Sequence, residues 1–96
     1  MRFVGSSLDD LKHFPAGARR EAGFEFSNVQ AGLQPSEWKP MNTVGAGAVE
    51  IRIKDAAGIC RVIYVARFEK AIYVLHAFEK KTRKTRKADI ELAKAR

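Results

Sequence analysis

Three runs of β-forming residues follow one another between positions 48 and 78, with too few residues between them to hold a helix. The first, residues 48–54, alternates strictly, sending Val49, Ile51 and Ile53 to one face and Glu50, Arg52 and Lys54 to the other. The second, residues 59–68, is rich in β-branched and aromatic side chains (Val62, Ile63, Tyr64, Val65). The third, residues 72–78, is apolar on both faces except at His76, the pattern of a central strand. Asp55-Ala-Ala-Gly58 supplies a turn with a glycine available for positive φ, and Glu69-Lys70 supplies the next tight connection. Strands joined this closely pair antiparallel with their neighbours, so the spacing predicts a three-stranded meander.

The first half of the chain reads differently. Residues 1–4 are short and apolar enough for an edge strand. Ser6 or Ser7 can cap a short helix whose first turn carries Asp9 and Asp10, favoured there by the helix dipole. Pro15 suits the first turn of a second helix, extended to about residue 31. Its apolar positions Ala18, Ala22, Phe26, Val29 and Leu33 share one face, and Gly32 is a C-terminal stop. Residues 33–47, with Pro35, Pro40, Gly45, Gly47 and the only tryptophan, Trp38, read as a loop. Trp38 is either a lid over the core or a stacking platform for a base. A short helix over residues 89–96 closes the chain. The fold class is therefore α+β: two N-terminal helices packed on a twisted antiparallel sheet, the meander joined by an N-terminal strand, and a short C-terminal helix. At 96 residues the chain is expected to form a single domain, residues 1–96, around one core.

Charge is distributed very unevenly. Residues 80–96 hold eight Lys/Arg against two acids, so +6 of the formal +7 lies in the last seventeen residues. Six of those cations, Lys80, Lys81, Arg83, Lys84, Arg86 and Lys87, stand within eight positions directly after the third strand. Scattered lysines would serve solubility equally well, so the concentration points to a polyanionic partner. Crowded lysines repel one another, which disfavours protonation and can lower one of them far enough to act as a base. Metal-free RNA cleavage needs a base for the 2′-hydroxyl, cations around the phosphorane and an acid for the 5′-oxygen, and Lys and Arg can supply all three.

Other residues admit two readings each. Arg61 lies within an apolar strand, where it is either ion-paired, to Glu50 or another acid, or presented to a phosphate in a concave site. Arg52 is either on a solvated face or brought near Arg61 by the hairpin. His76, alternating with Val74 and Phe78, is either a half-buried structural residue or a catalyst. Tyr64 and Tyr73 read as packing aromatics. Cys60 lies within an apolar run and reads as a small buried hydrophobe. His13 and His76 are far apart, no Cys/His spacing suits zinc, and neither metal nor organic cofactor is expected. With one cysteine, no apolar run of membrane-spanning length and no signal-peptide pattern, the expected location is cytoplasmic, with no membrane partner.

These segments, Glu50-Ile-Arg-Ile-Lys-Asp-Ala-Ala-Gly-Ile-Cys-Arg-Val-Ile-Tyr64 and then Ile72-Tyr-Val-Leu-His-Ala-Phe-Glu-Lys-Lys-Thr-Arg-Lys-Thr85, resemble the RelE/ParE toxin superfamily. The likeness is closest to its HigB-like, phage-related branch, and it extends to Pro15, Arg19-Arg-Glu-Ala22 and Trp38-Lys-Pro-Met41. It implies a RelE-like fold and a toxin of a type II toxin–antitoxin system. The implied activity is ribosome-dependent endoribonuclease cleavage of mRNA in the A site. The implied partners are the ribosome, mRNA and a helix-turn-helix antitoxin, with operator DNA reached only through the antitoxin complex. By position, Arg61 matches the strand arginine at the scissile phosphate. Lys81 matches the basic residue that stabilises the transition state or protonates the leaving group, with Lys80 beside it. Arg52 matches a base or phosphate ligand. Arg83, Lys84, Arg86 and Lys87 fall to ribosome binding. RelE-type members carry a C-terminal tyrosine that stacks on the mRNA base. No aromatic follows Phe78 here, which leaves His76, Tyr64 or the ribosome itself for that task. The superfamily also includes gyrase inhibitors, so the alternative is a non-nuclease toxin or a basic binding protein.

Overall fold

The meander forms the middle of a five-stranded sheet. The computed structural model describes residues 1–55, 58–66, 72–80 and 87–96, with Lys80 described as backbone only. The elements run β1 (Arg2–Phe3), α1 (Ser7–Lys12), α2 (Ala16–Gln30), β2 (Trp38–Pro40), β3 (Ala48–Asp55), β4 (Gly58–Ala66), β5 (Ile72–Lys80) and α3 (Lys87–Ala95). Spatial order in the sheet is β1-β5-β4-β3-β2. Strands β3, β4 and β5 pair antiparallel as their spacing predicts, and β1 pairs with β5 in parallel, making the sheet mixed. The Glu69-Lys70 connection lies outside the described residues.

Two elements depart from expectation. Strand β2 falls inside the segment read as a loop; it is three residues long and pairs with β3 through Trp38↔Ile51, Lys39↔Glu50 and Pro40↔Val49. A short edge strand tolerates Pro40 because one side of it has no ladder to complete, so the prolines that suggested a loop do not exclude it. Leu33 does not continue the apolar face of α2 and is 61% exposed. Gly32, at φ 83°, ends α2 in a Schellman turn, with Leu33 N–H bonding Asn28 C=O (2.8 Å) and Gly32 N–H bonding Val29 C=O (3.0 Å). The turn swings Leu33 off the helical face.

The sheet is covered on both sides. On one face Ala18, Ala22 and Phe26 of α2, with Phe14, pack on Ile51, Ile53, Val62, Tyr64 and Val74. On the other, Ala93 and Ile90 of α3 pack with Ile63, Val65, Leu75 and Met41. This explains why β4 and β5 are apolar on both faces whereas β3, beyond the reach of α3, alternates. Tyr64 is a packing aromatic, buried, its hydroxyl pKa pushed up by burial and then by Glu25. Tyr73 is half-buried against the α3 cluster.

Strand β5 carries a bulge. Ile63 pairs with His76 but Tyr64 pairs with Val74, leaving Leu75 as the extra residue. Leu75 joins the α3 cluster and Val74 the α2 cluster, so the simple alternation of Val74, His76 and Phe78 fails. The inserted residue turns His76 and Phe78 together toward α3.

Near the start of α2, a Cβ on Gly17 would overlap Oδ1 of Asp55, the last residue of β3. Glycine here lets a carboxylate close on the first turn, where the helix dipole favours it. Alanine normally stabilises a helix interior by about 1 kcal/mol relative to glycine. Gly17→Ala is expected to destabilise instead, by about 1 kcal/mol in urea unfolding, and adding Asp55→Ala should recover the loss. Burial pushes the Cys60 thiol up to about 11, with Glu79 and Asp55 adding to the shift. Native protein at pH 8 is therefore expected to resist iodoacetamide and to alkylate only once unfolded. Because the unfolded thiol ionises first, this group's contribution to stability should fall as pH rises above its ordinary value of 9.0.

Candidate active site

The register of the central hairpin sets two arginines against each other. Arg52 of β3 and Arg61 of β4 are direct partners and point to the face that carries α3, away from α1 and α2. Like charges directly opposite across two strands are unfavourable. Glu50 relieves this, for its carboxylate accepts a hydrogen bond from Arg61 Nη1, and both side chains are only 1% exposed. Lys39 of β2, the cross-strand partner of Glu50, brings Nζ to 3.8 Å from the same Oε1. The two readings of Arg61 are therefore compatible: it is ion-paired to Glu50, and it lines a concave site.

That site is a cleft of about 330 Å³ lined by Ser36, Glu37, Trp38, Lys39, Glu50, Arg52 and Arg61. Three cations and two carboxylates give it a net positive lining. One wall is the chain entering β2, which is held at two points. The buried carboxylate of Glu25 on α2 accepts bonds from Ser36 N–H (2.6 Å) and Ser36 Oγ–H (2.8 Å). One residue later, Glu37 C=O accepts from Arg52 N–H (3.0 Å), and its side chain pairs with Lys54 at 3.2 Å. Trp38 is not a lid buried over the core. It is the first residue of the edge strand, 43% exposed, and its pairing with Ile51 sets its side chain on the α2 face, opposite to Lys39.

The remaining candidates fall elsewhere. His76 does not line the cleft. It is 5% exposed, its Nε2 lies 2.8 Å from Asp89 Oδ1 on α3, and its ring stacks on Phe78 with centroids 4.9 Å apart. Its Nδ1 lies 4.0 Å from Asp10 Oδ2 on α1 and has no hydrogen-bond partner among the described residues. His76 thus ties β5 to two helices. Lys80 ends β5 opposite Ile59. Lys81, Arg83, Lys84 and Arg86 lie outside the described residues, and Lys87 is exposed at the start of α3. Sequence reasoning missed Lys39 because β2 was hidden among prolines. It named Glu50 as a partner for Arg61, as the structure shows, but strict alternation gave no sign that the pair is buried.

Residues 9–96 match the phage-derived Gp49-like protein family. The chain belongs to that family. The Gp49-like proteins are a RelE/ParE-like, toxin-type family associated with the toxins of toxin–antitoxin pairs, and such a toxin has an antitoxin for a partner. A comparison with curated proteins gives no match. The family match covers the whole sheet except β1, and with it every residue of the cleft. Among the described residues no helix is long and apolar enough to cross a membrane.

Removing one member of a buried ion pair leaves the other desolvated and uncompensated, at about 3–5 kcal/mol. Glu50→Ala is expected to lower the unfolding free energy by that amount. Glu50→Leu combined with Arg61→Met should restore most of it, while Lys39→Ala, on a half-exposed lysine, should change it by less than about 1 kcal/mol. Urea denaturation of the four proteins checks the ordering.

Proposed function

We propose that this Gp49-like protein is a HigB-like toxin of a type II system that cleaves mRNA on the ribosome and is neutralised by a helix-turn-helix antitoxin. The observation that carries the reading is the register pair Arg52 and Arg61 in an electropositive cleft, with Arg61 oriented by Glu50. A guanidinium held on one side by a buried carboxylate has a fixed fork, which suits a phosphate that gains charge in the transition state. Holding the arginine beforehand removes the cost of organising it during the reaction.

In the proposed reaction a base takes the proton of a ribose 2′-hydroxyl, and the 2′-oxygen attacks the adjacent phosphorus. The bond to the 5′-oxygen breaks and that oxygen is protonated. The products are a 2′,3′-cyclic phosphate and a 5′-hydroxyl. Arg61 binds the non-bridging oxygens and Arg52 adds a second cation or holds the flanking phosphate. Glu50 is committed to Arg61 and Lys39, so its role is orientation. Proton transfer falls to Lys80 and Lys81, where crowding of six cations within eight positions makes the neutral amine accessible. Arg83, Lys84, Arg86 and Lys87 supply backbone contacts to ribosomal RNA, and His76 supports the site from beneath α3.

Mapping RNA 5′ ends after brief induction tests this. Wild-type protein is expected to produce new 5′-hydroxyl ends within translated messages. Arg61→Lys keeps the charge but not the bidentate fork, and is expected to reduce those ends at least tenfold, as is Lys81→Ala. Intact messages accompanied by DNA-damage signalling would point instead to a gyrase-directed toxin.

A further inference from the structure

We infer that Lys39 is a second phosphate-binding residue of the cleft, so that the site takes two consecutive phosphates of one RNA strand, one at Arg52 and Arg61 and the next at Lys39. The inference rests on the proposed function in taking single-stranded RNA as the ligand. Strand β2 brings Lys39 opposite Glu50, which lies two residues from Arg52 along β3, so all three side chains share one face of the sheet. Arg52 in turn stands opposite Arg61 on that face. Two residues along a strand and one strand across separate the Lys39 and Arg52 backbones by about 8 Å. Side chains of this length cover the step from one phosphate of an extended strand to the next.

Charge within the cleft points the same way. Arg61 donates directly to Glu50, and both are buried. Lys39 Nζ comes only to 3.8 Å from the same Oε1, beyond hydrogen-bond range, and its side chain is 48% exposed. One carboxylate thus faces two cations, and Arg52 adds a third. Glu37, the other acid of the lining, is 3.2 Å from Lys54. Among the described residues the cleft therefore gathers two more positive charges than its own acids answer. Two phosphodiester linkages carry two negative charges, whereas a single phosphate at the arginines would leave one cation over.

The lysine is also carried on a segment that is fixed before a ligand arrives. Three residues earlier Ser36 donates twice to the buried carboxylate of Glu25, and Glu37 C=O accepts from Arg52 N–H. A loose, exposed ion pair adds little to stability, but a cation on an anchored strand loses less freedom when it binds. A phosphate contact sets the register of a strand without reading its sequence. Lys39 therefore positions any message so that one linkage lies over Arg61.

The probe is a trinucleotide of 2′-O-methyl ribonucleotides with hydroxyl ends, which has two phosphodiester linkages and no 2′-hydroxyl for attack. Two companion strands each carry a neutral methylphosphonate in place of one linkage. Lys39→Ala is expected to weaken the doubly charged strand by roughly 2- to 5-fold, the worth of one exposed ion pair, and to flatten its log–log salt slope by about 0.7. Both singly charged strands, whose one phosphate goes to the arginines, should bind Lys39→Ala as they bind wild type, and Lys39→Arg should retain the affinity for two charges. Messages left intact in cells by a wild-type protein that shows this charge-dependent loss would keep the subsite and remove the nuclease reading. Equal weakening of all three strands, or of none, would overturn the subsite; normal binding of every strand with loss of the antitoxin would assign Lys39 to that partner instead.

Discussion

A guanidinium and a carboxylate share the interior of the hairpin formed by β3 and β4, and much of the molecule is arranged around them. Arg61 enters an otherwise apolar strand, and its charge is tolerated because Glu50, diagonally across the ladder, meets it. That pairing fixes the register, for a slip of one residue would send Arg61 into the α2 core and Val62 to the cleft face. It also lets Arg52 stand directly opposite a second cation. A well-packed apolar pair of similar volume would serve stability at least as well.

The second organising feature is the bulge at Leu75. By adding one residue to β5 it brings His76 under α3, where Asp89 meets the ring, and it aims the Leu75 carbonyl at Arg96, whose Nη1 donates to it at 3.0 Å. Arg96 Nη2 also donates to Ser6 Oγ at 3.0 Å. Helix α3 is thus pinned near both ends, by one bond to a histidine and two from an arginine. Both anchors hold α3 over β4 and β5, on the face that also carries the cleft.

How much of this was legible in the sequence follows from which patterns are local. The meander, both N-terminal helices and the central position of β5 are encoded in periodicity, and periodicity read them correctly. The Gly32 stop was legible too, though its effect on Leu33 was not, because a Schellman turn redirects the chain after the helical pattern has ended. Strand β2 was illegible: three residues with a proline carry no period, and only pairing with β3 makes them a strand. The bulge was illegible for a related reason, since an extra residue is defined by the partner strand. In the cleft, Arg52 and Arg61 were visible as misplaced charges. Lys39 depends on β2, and the burial of Glu50 depends on a contact eleven residues away.

The parallel pairing of β1 with β5 has a consequence for synthesis. Arg2 and Phe3 find their partners at Tyr73 and Val74, Ser7 Oγ–H bonds Val74 C=O, and Ser6 waits for Arg96. Strand β1 and its following turn are therefore completed by residues far along the chain, and such long-range closure is slow relative to local helix formation. Until β5 and α3 have been made, the chain holds α2 and later the hairpin but not the closed sheet with α3 locked over it. A protein of a toxin family built this way acquires its finished form only once β5 and α3 have been made.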